Sequence, residues 1–242
     1  MMALSFFDNF GKIWIINLPH RVDRRREMER QLRRVGVLAH DPRITFFPAI
    51  RPDDAGGFPT IGTRGCFMSH LAVLREIQTS DAKFALILED DCNFDLRAVN
   101  NLTNHILLKN TMMYGGVLNT VKSQPQGKEG FVAVGADMAL MGAHCIAVEP
   151  KVAKDIADYF EKILRRPPGD PEGGPMHVDG AYSWYRKMHP ERATVLAVPE
   201  IAYQRSSATD IHEGRSIRRS ILPVPLISFL RKMKNTVRQV FR

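Results

Sequence analysis

Apolar and polar residues alternate in two different periods along the first 90 positions of this chain. Residues 13–17 (Ile-Trp-Ile-Ile-Asn) form a continuous apolar run of strand length, broken by Pro19. After it, Met28, Leu32 and Val35 recur at helical spacing, with Asp23 placed to cap the helix and Gly36 to stop it. Residues 44–47 read as a second strand. Residues 51–63 carry Pro52, Gly56, Gly57, Pro59 and Gly62, a long loop of the kind that often holds function. Phe67, Leu71, Leu74 and Ile77 restore the helical period, and a third apolar run begins at Ala85. Strands alternating with helices predict an α/β fold with a mostly parallel central sheet flanked by helices. Ligands of such sheets gather at the carboxyl ends of the strands.

Beyond residue 100 the pattern is less regular. Residues 116–118, 131–134 and 143–148 are short strand candidates, with a polar loop at 122–130. Residues 151–164 predict a helix opened by Pro150. A Pro- and Gly-rich loop covers 165–175, a helix 178–188 and a strand 193–198. There are no internal repeats. One domain over 1–214 is expected, followed by a tail of different character over 215–242.

The third apolar run ends in Glu89, Asp90 and Asp91. Side chains alternate along a strand, so Glu89 and Asp91 are expected on one face with Asp90 turned away. Carboxylates on consecutive residues repel, and a hard divalent cation such as Mg2+ or Mn2+ relieves that repulsion while holding a phosphorylated substrate. Solvated acids at a strand end, or a helix cap, are the structural alternative. Asn17 ends the first strand as the acids end the third, so both readings point to one crevice.

Composition narrows the choice. The chain has 242 residues, 44% of them hydrophobic, enough for one substantial core. No apolar stretch is long enough to span a bilayer, and the first ten residues lack the pattern of a secretory signal. Cys66, Cys92 and Cys145 are widely spaced and odd in number. That fits reduced thiols and a cytoplasmic protein. The net charge of +8 suits anionic partners. No nucleic-acid recognition motif accompanies it. The turn after the first strand has no Gly-x-Gly-x-x-Gly or Walker pattern. It offers His20, Arg21, Arg24 and Arg25 near a helix N-terminus, which suits diphosphate. Arg21, inside the turn, is the better ligand candidate, whereas Arg25 and Arg26 read as a solvated helix face.

These segments resemble glycosyltransferase family 25, which includes bacterial lipooligosaccharide and collagen galactosyltransferases. Residues 16–25 resemble its opening motif, 65–71 its second and 85–91 its acidic third. Segments 142–145, 177–180 and 207–211 follow in the family's order, so the likeness extends over roughly residues 12–212. The resemblance implies a GT-A-type nucleotide-diphospho-sugar transferase fold. It also implies inverting transfer of a hexose, often galactose, from a UDP-sugar to a glycan or glycolipid acceptor. In that frame Asn17, Leu18, Arg21, Arg24 and Asp90 contact the donor. Glu89 and Asp91 hold Mn2+ or Mg2+, with His212 or Asp210 as a third ligand. Asp91 thereby serves the chemistry directly, and Asp179 is the candidate base, a helix cap being the alternative. His70, with Ser69, reads as a hydrogen-bonded core histidine, and His144 as similar. Where family members carry Gly-Glu-Ile-Gly-Cys, this chain has Gly62-Thr63-Arg64-Gly65-Cys66, which bears on donor or acceptor identity. A non-catalytic nucleotide- or glycan-binding member of the fold, or a metal-dependent phosphohydrolase, are the rival functions.

The tail has its own signature. Leu226, Phe229, Leu230, Met233, Val237 and Phe241 recur at helical spacing among Arg231, Lys232, Lys234, Arg238 and Arg242. A basic amphipathic helix of this kind lies on anionic membrane surfaces, here the inner face. Docking on its own domain, or a dimer contact, is the alternative.

Overall fold

The computed structural model describes residues 5–38, 40–102, 107, 111–118 and 129–205. The segment at 207–211 with Asp210, the residue His212 and the tail over 215–242 lie outside the described residues, as does nearly all of the loop at 122–130.

A short 3-10 turn, Phe6–Asn9, precedes β1 (Lys12–Asn17), α1 (Val22–Arg34), β2 (Ile44–Pro48), α2 (Ile61–Gln78) and β3 (Ala85–Glu89). Then come β4 (Cys92–Phe94), α3 (Leu96–Asn101), β5 (Thr111–Tyr114), β6 (Gly130–Ala133) and β7 (Cys145–Val148). The described chain ends with α4 (Pro150–Arg165), α5 (Val178–Met188), β8 (Ala193–Val198) and β9 (Ala202–Gln204). Among the described residues, seven strands form one sheet in the order β2-β1-β3-β7-β5-β8-β6. Five run in one direction, while β7 and β6 oppose them. The mostly parallel sheet flanked by helices is therefore borne out, and β4 and β9 form a separate antiparallel ribbon.

Both faces of the sheet are covered, which is why its central strands read as unbroken apolar runs. Ala85 and Ile87 of β3, with Trp14 and Ile16 of β1, face a core shared with α2, α4 and α5. Leu86 and Leu88, with Ile13 and Ile15, face a second core built from the 3-10 turn, α1 and α3. The helices are set by their own stripes: Met28 and Leu32 are fully buried in α1, and Phe67, Leu74 and Ile77 in α2.

Several expectations change. The strand expected at 116–118 is not formed there; the strand lies earlier, at β5. Gly115 and Gly116 instead form a crossing, where the amides of Ile201 and Ala202 both donate to the Gly115 carbonyl. The β4–β9 ribbon and α3 are too short to carry a readable period. Asp23 does not cap α1: the cap residue is Arg21, and Asp23 takes both Arg21 Nε and Nη2 at 3.0 and 2.9 Å. That hydrogen bonding with Arg21 holds the Asp23 carboxyl down at about 2. Gly36 does stop the helix, with φ at +79°. Among the described residues no helix is long and apolar enough to cross a membrane.

A Cβ at Gly116 would sit 1.9 Å from the Ala202 carbonyl oxygen. Gly116→Ala is expected to cost about 1–3 kcal/mol of stability through overpacking. Urea unfolding monitored by circular dichroism reads it; an unchanged midpoint would show that the crossing gives way freely.

Candidate active site at the acidic turn

β1 and β3 are parallel neighbours with Ile16 opposite Glu89, so Asn17 and the three acids emerge at the same sheet edge. The strand ends at Glu89. The Asp90 amide then donates to the Ile16 carbonyl at 3.2 Å, and the Glu89 amide to the His144 carbonyl at 3.1 Å. A cavity of about 400 Å³ opens there, within the usual size of ligand sites. Leu18, His20 and Arg24 line one side, the loop from Ala49 to Asp53 another, and the first turns of α2 a third. Glu89, Asp90 and Asp91 all line it. The expectation that Asp90 points away is corrected: the chain turns after Glu89, and the strand's alternation stops with it.

Asp90 is neutralised within the protein. Asn17 Nδ2 and Arg24 Nη1 each donate to its carboxylate at 2.7 Å. Arg205, which the sequence gave no reason to single out, straps the turn from behind. Its amide donates to the Asp91 carbonyl at 2.7 Å and its Nη2 to the Asp90 carbonyl at 3.0 Å. Its Nη1 donates to Asn93 Oδ1 at 3.0 Å.

The other two acids are left in contrasting states. For Glu89, burial alone would raise the pKa, but the hydrogen bond and charge of His70 outweigh it and hold the carboxyl below its ordinary value. His70 Nε2 lies 3.2 Å and Cys66 Sγ 3.6 Å from the same oxygen, Glu89 Oε1. Asp91 is pushed from 3.8 up to about 7, first by burial and then by the charge of Glu89. Gln204 Nε2 donates to Asp91 Oδ2 at 3.2 Å, while the buried Oδ1 has no hydrogen-bond partner. A buried carboxylate oxygen with unused lone pairs, beside a second carboxylate, fits the divalent cation that the family resemblance implies.

α2 carries the rest of the cavity wall. Thr60 caps it, its hydroxyl accepting from the Thr63 amide at 3.0 Å. Ser69 Oγ donates to the Gly65 carbonyl at 2.7 Å and accepts from the Ile50 amide at 2.8 Å, which fastens the 49–53 loop to the helix. Gly65 permits this approach, since a Cβ there would meet the Ile50 oxygen at 2.5 Å. Thr63 is buried, and Arg64 pairs with Asp54. Neither lines the cavity, so the departure at 63–64 serves the loop rather than the cavity wall.

Asn17, Leu18, Arg24, Glu89, Asp90 and Asp91 are thus brought together, although Asn17 acts through Asp90 and not as part of the lining. Arg21 is bound to Asp23 and is absent from the cavity wall. Asp179 also lies off it: its two oxygens accept from the amides of Gly142, at 3.1 Å, and Gly180, at 2.8 Å. His70 is buried as expected, bonded to Tyr182 at 3.1 Å as well as to Glu89. His144 is buried, and burial lowers its pKa. His20, named with the arginines of the first turn, lines the cavity, as do Arg51 and Asp53, which had no signal beyond lying in a loop.

A mixed α/β sheet with an acidic crevice at the carboxyl ends of parallel strands defines a protein of the open α/β class, whose ligands gather at that edge. Within that class the comparisons bear out the resemblance to glycosyltransferase family 25. The model of "Glycosyltransferase family 25 (LPS biosynthesis protein)" matches residues 54–128, which take in α2 and the acidic turn. "Procollagen galactosyltransferase 1-B" of Xenopus laevis is 29% identical over 104 residues, 36% of this chain and 17% of that protein. "Glycosyltransferase 25 family member" of Drosophila melanogaster is 31% identical over 103 residues, again 36% and 17%. The chain therefore matches about a sixth of the length of these relatives. A solved glycosyltransferase involved in glycosylation of the PBCV-1 major capsid covers 77% of this chain at 10% identity, with a TM-score of 0.33, too low to argue a shared fold.

The raised Asp91 has a pH signature. Between pH 3.8 and about 7 the folded state keeps a proton that the unfolded chain releases, so stability falls as pH rises through this window. Asp91→Asn removes the effect. Without metal, the melting temperature of the variant relative to wild type is expected to be higher at pH 8 than at pH 5. Mn2+ is expected to stabilise wild type more at pH 8 than at pH 5. Melts with equal pH dependence in both proteins would contradict the assignment.

Proposed function

We propose that this chain is a metal-dependent glycosyltransferase that moves a hexose, galactose from UDP-galactose in the first instance, to a glycan or glycolipid acceptor with inversion. The observation that carries this reading is the pair Glu89 and Asp91 at a nucleotide-sized cavity, with Asp91 Oδ1 buried and unpartnered. Mn2+ or Mg2+, held by these two residues, supplies Lewis-acid stabilisation of the charge that builds on the leaving diphosphate. His212 remains the proposed third ligand.

The chain's own residues do the rest. Arg51 and the N-terminal turn of α2 bring positive charge and amide donors to the cavity, where His20 adds an imidazole, and these suit a diphosphate. Arg24 fixes Asp90 and lies 3.8 Å from Asp91, so it sets the carboxylate arrangement as well as the local charge. For the proton of the acceptor hydroxyl, Asp53 is placed better than Asp179, because it lines the cavity while both Asp179 oxygens are taken by backbone amides. The non-catalytic alternative rests on Thr63 and Arg64, which do not line the cavity. A peripheral place on an anionic cytoplasmic membrane face, through the 215–242 segment, completes the reading and would suit a lipid-linked acceptor.

Calorimetry is expected to show UDP binding that requires Mn2+. Asp91→Asn should cost about 100-fold or more in turnover, as loss of several kcal/mol of charge stabilisation demands. Binding and turnover unaffected by that change would refute the proposal.

The base assignment is tested separately. Asp53→Asn is expected to lose roughly 10²–10⁴-fold in turnover with UDP affinity retained. Asp179→Asn is expected to lower thermal stability instead. The reverse pattern would return the role to Asp179.

A further inference from the structure

We propose that Cys66, His70 and Glu89 form a binding site for a thiophilic divalent cation, Zn2+, distinct from the oxygen-ligand position offered by Asp91. One donor atom from each residue lies within 4.8 Å of the others. Cys66 Sγ and Glu89 Oε1 are 3.6 Å apart, and His70 Nε2 and Glu89 Oε1 are 3.2 Å apart. Zinc bonds are about 2.3 Å to sulfur and about 2.0 Å to nitrogen or oxygen, so a tetrahedral ion separates such ligands by roughly 3.5 Å and 3.3 Å. The two separations from Glu89 Oε1 match those values, and the sulfur and Nε2 lie within 4.8 Å of each other.

The frame around these atoms is rigid. Cys66 and His70 are four residues apart on α2 and so share one face of it. Glu89 is held at the end of a strand whose other four residues are buried. His70 is itself buried, and its other ring nitrogen, Nδ1, is bonded to the Tyr182 hydroxyl. An outer partner on the second nitrogen is how a metal-binding imidazole is oriented. Sulfur and imidazole together select Zn2+ over Mg2+ or Mn2+, which take carboxylate and water. Cys66 and Glu89 line the cavity, so the ion can enter from solvent and keep a water as fourth ligand. Binding releases the thiol proton to solvent. Glu89 is common to both positions, so if the transferase reading holds, Zn2+ here withdraws Glu89 from the cation at Asp91 and depresses Mn2+-supported UDP binding.

The test uses the full chain without nucleotide. Equilibrium dialysis is expected to show one tight Zn2+ per chain. Co2+ in its place should give the intense near-ultraviolet band of thiolate-to-metal charge transfer. Cys66→Ser should abolish that band and weaken Zn2+ more than about 100-fold, beyond what loss of an outer-shell partner costs. Asp91→Asn should leave both readings intact. A second measurement needs no variant: Zn2+, and not Mg2+, should slow alkylation of Cys66 by iodoacetamide, mapped by mass spectrometry. No bound Zn2+, a Co2+ spectrum without the thiolate band, Zn2+ affinity unchanged in Cys66→Ser, or alkylation indifferent to Zn2+ would overturn the site. None of these readings involves UDP, so failure here leaves the transferase proposal standing, and failure of UDP binding leaves this site standing.

Discussion

The acidic turn exists in its present form because the charge of Asp90 is cancelled inside the protein. Two like charges about 4 Å apart repel by roughly 4 kcal/mol at an effective dielectric of 20, and three carboxylates follow one another here. Arg24 and Asn17 take the central one. Both Arg24 and Asp90 side chains are about nine-tenths buried, so their attraction is little screened by water. Arg205 secures the backbone of the same turn through two carbonyl oxygens. With Asp90 held internally, Glu89 and Asp91 are free to differ. One is kept ionised by His70, and the other is raised by burial and by its neighbour. Adjacent carboxyls whose affinities for protons are driven apart are the usual sign of a site that exchanges protons or binds cations.

The second constraint comes from α2. Gly65 and Ser69 lock the 49–53 loop onto the helix, while Cys66 and His70, on the same stretch, reach Glu89. One helix therefore sets both the wall of the cavity and the state of a carboxylate at its floor. The Gly-Cys-x-x-Ser-His spacing follows from geometry: a close approach at 65, a fastening four residues later, and two donors one turn apart. Thr63 and Arg64 serve the loop instead, through the helix cap and Asp54. Variation there can occur without touching the cavity wall.

The chain alone determined the alternation of strands and helices, the buried runs of β1 and β3, the stop at Gly36 and the acidic strand end, because each is a local pattern of burial or backbone freedom. It also identified Asn17, Glu89 and Asp91 as neighbours, since parallel strands bring their carboxyl ends together. The family's motifs were readable for the same reason: they are short and continuous.

Only the tertiary structure decided which acid is structural and which are available. Asp90 is paired by residues 66 and 73 positions away in sequence, and no local pattern reports such partners. Arg205, more than 110 residues from the turn, was invisible for that reason. Asp179 accepts from the amides of Gly142 and Gly180, and the first of these contacts depends on the packing of α5 against the 142 turn. The Cys66–His70–Glu89 cluster needed a helix and a strand end to meet. Local periodicity fixes which face a residue occupies, whereas the charges and donors it meets there are set by chain segments far away.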